Sequence, residues 1–212
     1  MNEERTRTFV ISGAMVMRTP GDETVRDLFV SDGRIVAQPA DTEPHMISAA
    51  GAYVVPLMVD SAVAARPASK RAEYDLSPVN DATFAVVRRP VTETQVRTML
   101  ILSPRDVMAV YVSGQLEVCD GEATRRAGAD VAEAATSATW VGTWEDPARG
   151  LEQHLLPDGR YSETRGGRAD AYTGRYWVHE DRITYRDDSG FWAFGELQDS
   201  VLHHAGFMMT RR

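Results

Sequence analysis

Trp140-Val141-Gly142-Thr143-Trp144 opens the C-terminal third of the chain, which continues to Thr210 as short aromatic and β-branched runs. Clusters such as Pro157-Asp158-Gly159 and Asp187-Asp188-Ser189-Gly190 divide the runs, and these residue types favour tight turns. The runs start about 8–12 residues apart, which is the spacing of an up-and-down sheet. They span residues 140–144, 151–156, 160–165, 172–178, 182–186, 191–197 and 201–210, and the last is long enough to be split. This pattern predicts a small β-barrel of roughly eight strands.

Alternation along the predicted strands assigns side chains to the two faces of the barrel wall. It places Tyr172, Tyr176, Ile183 and Tyr185 inward, so the inner face is expected to be aromatic with hydroxyl groups. A barrel of this size is either filled by side chains or wide enough to hold one small ligand. The segment therefore predicts a site for a small-molecule ligand.

Polar residues on the same strands supply the candidate site. Tyr161, Glu163 and Arg165 can point the same way and could orient a ligand, although Glu163 and Arg165 could equally be surface cross-strand pairs. A histidine on an apolar strand is more often a hydrogen-bonded core residue than a base. The candidate catalytic residues are Glu163, His154 and His204. The candidate ligand-binding residues are Trp144, Tyr161, Arg165, Tyr172, Tyr176 and Tyr185.

Two resemblances concern this C-terminal segment. Gly142-Thr143-Trp144 resembles the Gly-x-Trp opening strand of the calycins, the superfamily of lipocalins, fatty-acid-binding proteins and avidins. Residues 155–161, 171–176, 183–191 and 202–206 resemble a small family of stand-alone bacterial streptavidin-like barrels. These resemblances imply a streptavidin- or lipocalin-like up-and-down barrel, and they imply no particular reaction.

The composition of the chain indicates which classes of partner and which cellular compartment to expect. The 212 residues carry a net charge of −8, which argues against nucleic acid because phosphates attract a basic surface. The sequence has no run of 18 apolar residues, no polybasic patch and no signal-peptide pattern at Met1, so we expect no membrane association. Cys119 is the single cysteine, which fits a reducing, cytoplasmic location.

The N-terminal half also reads as strands. A run from Phe9 to Ile11 is followed by two runs joined at Asp32-Gly33 and by a fourth run from Tyr53 to Val55. This order resembles the small β-sandwich of the amidohydrolase superfamily, which flanks a metal-binding TIM barrel. Residues 75–87 and 106–115 resemble the closing strands of that sandwich.

The resemblance fails at the catalytic parts of that superfamily. Ala62 and Ala64 stand where its two metal-ligating histidines would be, and alanine has no donor atom. Only residues 65–74 occupy the place of a TIM barrel of about 250 residues. We therefore expect no metal, no cofactor and no metal-dependent hydrolysis.

The sequence predicts an all-β protein with two domains. Residues 1–121 form the truncated amidohydrolase-like β-sandwich, residues 122–139 form a linker, and residues 140–212 form the barrel. The linker reads as a short helix around residues 130–135 or as a flexible tether. The face of the sandwich that the lost TIM barrel would cover needs another cover, and the candidates are the C-terminal barrel, residues 65–74 or a second copy of the chain.

Two functional hypotheses remain open at this level. In the first, the barrel binds a small organic molecule while the sandwich is a non-catalytic docking domain. In the second, the barrel is a metal-independent enzyme that performs acid–base chemistry of the isomerase, lyase or cyclase type on a small metabolite.

Overall fold

The computed structural model describes residues 8–38, 44–98 and 100–212, and it confirms the all-β class. The chain divides into two compact units. The second unit contains residues 125–212 together with two short segments from earlier in the sequence, Val59–Ala65 and Thr98–Pro104. Most of the remaining chain forms the first unit.

The first unit contains a single nine-stranded sheet. Its strands are β1 Phe9–Thr19, β2 Asp22–Ser31, β3 Arg34–Val36, β4 His45–Ser48, β5 Tyr53–Pro56, β6 Phe84–Val87, β7 Val107–Val112, β8 Gln115–Cys119 and β9 Glu122–Ala123. The order is β3-β2-β1-β5-β6-β7-β8-β9, and β4 pairs with β1. Strand β1 is antiparallel to β2 and parallel to both β4 and β5.

The predicted hairpin in this unit is confirmed. Asp32 and Gly33 connect β2 to β3, and both have left-handed backbone angles, with φ of 51° and 75°. Two such residues in succession define the turn whose twist matches that of antiparallel strands. One face of the sheet then packs a core that includes Ile11, Val54 and Phe84.

The helices are short. They are α1 Asp60–Ala65, α2 Glu93–Thr98 and α3 Ala134–Trp140, and single 3₁₀ segments cover Ala68–Tyr74 and Pro147–Arg149. Ala62 and Ala64, the residues at the positions where the amidohydrolase superfamily has metal-ligating histidines, both lie on α1. Ala62 is buried and Ala64 is exposed. None of the helices in the described part of the chain is long and apolar enough to cross a membrane.

The second unit contains the predicted barrel, which closes with eight antiparallel strands. They are β10 Gly142–Asp146, β11 Leu151–Leu155, β12 Arg160–Arg165, β13 Arg168–His179, β14 Arg182–Asp187, β15 Trp192–Gln198, β16 Val201–His204 and β17 Phe207–Arg211. The last predicted run is split at Ala205-Gly206, which also forms a left-handed turn. The final strand pairs back onto β10 and closes the barrel.

The linker helix lies later in the sequence than expected. The prediction placed it around residues 130–135 and began the first barrel strand at Trp140, but α3 spans Ala134–Trp140. Its last residue explains the difference, because the Trp140 side chain is buried in the barrel core beside Trp144. A helix that ends at Trp140 can deliver this indole into the core, whereas the small residues before it have little apolar surface to bury.

Segments from earlier in the sequence cover part of the outer face of the barrel. Leu102 exchanges two backbone hydrogen bonds with Trp192, of 2.8 and 2.9 Å. From α1, the Ser61 hydroxyl lies 3.1 Å from Nδ1 of His203 on β16. Trp192 and His203 are consequently buried although they point away from the barrel interior.

Candidate functional site

The two ends of the barrel differ. At the end where β10 begins, the segment from Arg125 to Trp140 covers the barrel: the Trp177 indole donates to the Arg125 carbonyl (2.9 Å), and the Trp144 indole donates to the Trp140 carbonyl (2.9 Å). We call this the helix end. At the opposite end lie the turn between β12 and β13, which Arg165 precedes, and the turn between β16 and β17, which Phe207 follows. The guanidinium carbon of Arg165 lies 5.1 Å from the centre of the Phe207 ring. We call this opposite end the arginine end.

A buried polar network occupies the interior between these ends, and Glu163 is its centre. One Glu163 oxygen accepts a hydrogen bond from the Gln153 amide (2.8 Å), and the other accepts from Nε of Arg165 (2.8 Å). His204 Nε2 lies 3.6 Å from the same oxygen that Gln153 contacts. Tyr185 extends the network by donating its hydroxyl hydrogen to the side-chain amide oxygen Oε1 of Gln153 (2.8 Å). Both carboxylate oxygens of Glu163 therefore already have protein partners.

The strands explain this convergence. Gln153 on β11 lies directly opposite Glu163 on β12, and opposite residues of an antiparallel pair share a face. His204 reaches the interior because it alternates with Leu202 along β16, and its Nδ1 lies 3.2 Å from the Phe194 carbonyl. The sequence alternation that grouped Tyr161, Glu163 and Arg165 on one face agrees with the burial of Tyr161 and Glu163 inside the barrel.

The environment keeps Glu163 ionised. Burial is the strongest influence on its carboxyl and would raise the pKa, but the contact with His204, the charge of Arg165 and the hydrogen bond from Gln153 together outweigh burial. The pKa of Glu163 therefore lies below its usual range. A carboxylate with a low pKa stays ionised and accepts hydrogen bonds well, but it is a weak base.

The interior tyrosines remain neutral donors. Burial raises the phenol pKa of Tyr161, Tyr176 and Tyr185 above the ordinary value of 10, and the nearby charge of Glu163 acts in the same direction on Tyr161 and Tyr185. The rings of Tyr161 and Tyr185 meet edge to face with centroids 5.2 Å apart. The imidazole of His204 lies 4.3 Å from the Tyr185 ring. These contacts pack the interior around the network.

Arg165 connects the network to the surface. Its guanidinium carbon lies 4.4 Å from the centre of the Tyr172 ring and 5.1 Å from that of Phe207, so it has a ring contact with each. Tyr172 is directly opposite Glu163 in the sheet, yet it is 47% exposed because it lies at the end of the barrel. Arg149 adds a second guanidinium, 5.8 Å from the Phe207 ring centre. The arginine end thus presents two aromatic rings and two cations.

Other predicted site residues lie elsewhere. His154 has its Nδ1 3.0 Å from the Thr143 hydroxyl, on the face of β11 opposite to that of Gln153, so the structure does not join it to Glu163. Tyr176 donates its hydroxyl to the Leu156 carbonyl (2.7 Å), next to the turn between β11 and β12 at the helix end. Trp144 is part of the core, and its indole is hydrogen-bonded to the Trp140 carbonyl, as described above.

Three residues of the site were not among the predicted ones: Gln153, Phe207 and Arg149. Alternation in the run Leu151-Glu152-Gln153-His154-Leu155 puts Gln153 on the face of the two leucines, which was a usable signal for an inward amide. Phe207 follows the turn between β16 and β17, and Arg149 lies in the 3₁₀ segment between β10 and β11. The barrel topology brings both to the arginine end, and local sequence gives no such signal. Among the described residues, no group of three or more His, Cys, Asp or Glu side chains could hold a metal ion.

Comparison with known proteins gives a result for the barrel region only. Residues 137–211 match the family model described as Agrobacterium tumefaciens protein Atu4866. A solution structure of the protein Atu4866 from Agrobacterium tumefaciens is 44% identical to the chain, with 34% of this chain and 94% of that chain covered and a TM-score of 0.32. The barrel region belongs to the Atu4866 family. No curated protein matches the chain.

Proposed function

We propose that the barrel binds a small planar organic molecule at the arginine end, as a calycin-type ligand barrel. The observation that carries the proposal is the exposed ring of Tyr172, which stacks with a guanidinium that the buried network holds in place. Aromatic rings and a few fixed polar groups at the mouth of a barrel are typical of small-molecule sites. Such a site binds flat ligands by stacking and orients them by hydrogen bonds.

Binding is favoured over acid–base catalysis by the state of Glu163. A general base near neutral pH needs a raised carboxyl pKa and a free oxygen that can reach the substrate. The pKa of Glu163 is lowered, and both of its oxygens have protein partners. In this proposal Glu163 fixes Arg165, and Arg165 contacts the ligand.

The first unit has a non-catalytic role in this proposal. Its hairpin of β2 and β3 supports an origin in an amidohydrolase sandwich that has lost its metal barrel. Ala62 and Ala64, on the α1 segment that belongs to the second unit, stand where that superfamily has its metal ligands. A second copy of the chain, paired through this sheet unit, is its proposed partner.

The experiment uses benzamide, a neutral planar probe, in titrations followed by ¹H–¹⁵N NMR of the full chain. We expect the largest shifts at Tyr172, Phe207 and Gly166, at the arginine end. Tyr172→Leu should weaken benzamide binding by about threefold to tenfold, because the aromatic stacking contribution is about 0.5–1.5 kcal/mol. The control is Tyr176→Phe, which alters a buried hydroxyl at the helix end and should leave the affinity within about twofold. Shifts confined to other parts of the chain would overturn the proposal.

A further inference from the structure

We infer that the ligand of the arginine end carries a carboxylate or a similar planar anion, which Arg149 and Arg165 bind together. The inference rests on the proposed function, and it adds the chemical class of the ligand. It depends on how hydrogen-bond donors and acceptors are distributed at this end of the barrel.

Arg165 still has a donor to offer. Its Nε and Nη2 both contact one oxygen of Glu163, at 2.8 and 2.7 Å. Its Nη1 has no hydrogen-bond partner among residues 8–38, 44–98 and 100–212. The Arg165 side chain is 35% exposed, so its guanidinium is accessible to water. A planar guanidinium fixed on one edge by a carboxylate can bind a second carboxylate at its free nitrogen.

Arg149 supplies the second cation. Its Nη1 donates to the Gly206 carbonyl, and its guanidinium lies near the Phe207 ring that Arg165 also contacts. It has no carboxylate partner within the described part of the chain. Arg149 is exposed, and it sits in the short turn that the Asp146 side chain caps. The two guanidiniums therefore lie near the same aromatic ring.

Two buried carboxylates of this region, Glu163 and Asp146, do not compete with an incoming anion for the free guanidinium donors. Glu163 is buried and fully hydrogen-bonded, as described above. Asp146 is also buried, and its two oxygens accept from the backbone amides of Arg149 and Met208, each at 3.3 Å. The acceptors of these two carboxylates are thus directed inward, while the guanidinium donors of Arg149 and Arg165 reach the surface. A ligand that arrives from solvent meets donors, and an anionic planar group satisfies them best.

The test compares benzoate with benzamide, which have the same ring but differ in charge, on the full chain by ¹H–¹⁵N NMR titration. We expect benzoate to bind about tenfold more tightly at low salt and to lose this advantage as NaCl increases. Arg149→Gln should weaken benzoate binding about fivefold to tenfold and change benzamide binding less than twofold. The matched control is Arg126→Gln, which removes the same charge from an exposed position at the helix end and should change neither affinity.

The outcomes separate the two claims. Equal affinities for benzoate and benzamide at the arginine end would overturn the anion inference and leave the proposed binding site intact. Binding of neither compound at this end would overturn the proposed function itself. If Arg149→Gln does not fold, as shown by loss of dispersion in its NMR spectrum, the salt dependence of benzoate binding to the unmodified chain is the test. A benzoate affinity that does not change with NaCl would then overturn the inference.

Discussion

Two neighbouring histidines on β16 face opposite sides of the barrel wall, and each lies beside a buried glutamate that pairs with an arginine. Inside, His204 lies beside Glu163, which pairs with Arg165. Outside, His203 lies opposite Glu196 in the sheet, and Glu196 pairs with Arg182 at 3.2 Å. The same three residue types thus form a polar cluster on each face.

The clusters differ in their access to solvent. The Arg165 side chain is 35% exposed and lies against the exposed Tyr172 ring, whereas the Arg182 side chain is 16% exposed. The outer cluster is also tied to Ser61 on α1 through His203. A polar cluster that opens at a barrel end can serve a ligand, while one sealed beneath another segment serves the packing of that segment. The inner cluster is therefore the one included in the proposed binding site, and the outer cluster is expected to contribute stability.

Neutralising each glutamate tests the difference between the two clusters most directly. Glu196→Gln should lower the free energy of unfolding by about 3 kcal/mol, because Arg182 loses this carboxylate at a position where little water can replace it. Glu163→Gln should cost less, about 1–2 kcal/mol, since Arg165 can turn toward solvent. Urea unfolding followed by tryptophan fluorescence at pH 7.5 measures both values.

A surface glutamate provides the control for these substitutions. Glu93 pairs with Arg97 on α2 with both side chains 51% exposed, so Glu93→Gln should cost about 0.5 kcal/mol or less. If Glu163→Gln proved as costly as Glu196→Gln, the two clusters would be energetically alike and the distinction drawn above would fail.

The outer histidine also predicts how stability depends on pH. Burial lowers the pKa of His203 below 6.5, and the charge of Glu196 only partly opposes this. The unfolded chain therefore binds a proton at His203 before the folded chain does, so stability is full above pH 6.5 and falls as the pH drops through the folded pKa. The urea midpoint should decrease between pH 7.5 and 5.5.

A histidine variant isolates this effect from the other titrating groups. His203→Gln should show a smaller decrease in the urea midpoint over the same interval, whereas His179→Gln, at a less buried position, should retain the decrease of the unmodified protein. If the urea midpoint of His203→Gln decreased as much as that of the unmodified protein, His203 would not be the group responsible for the pH dependence.

The comparison also shows what could be predicted from the sequence. Strand alternation is local, so it placed Tyr185 on the inner face and grouped Glu163 with Tyr161, and it implies that His203 and His204 face opposite sides. Alternation leaves open whether Glu163 points inward or forms a surface cross-strand pair. Which histidine faces inward depends on the register between β15 and β16, and alternation alone does not determine that register. Ser61 and Leu102, which contact the outer face, lie more than 80 residues before the strands they contact. No local pattern predicts such a distant contact, and the sequence prediction placed both residues in the N-terminal domain of residues 1–121.

The smallest expected effect tests the link between α1 and the outer cluster. Ser61→Ala removes the hydroxyl that lies 3.1 Å from Nδ1 of His203 and leaves that buried nitrogen without this partner, so it should cost about 1 kcal/mol. The matched substitution is Thr143→Val, which removes the hydroxyl 3.0 Å from Nδ1 of His154. The His154 side chain is 36% exposed, so water can replace the lost hydroxyl and the cost should stay below about 0.5 kcal/mol. Both values come from urea unfolding at pH 7.5, where His203 is neutral in the folded chain. Equal costs for the two substitutions would mean that α1 does not seal His203 from water, and the outer cluster would then be as open as the inner one.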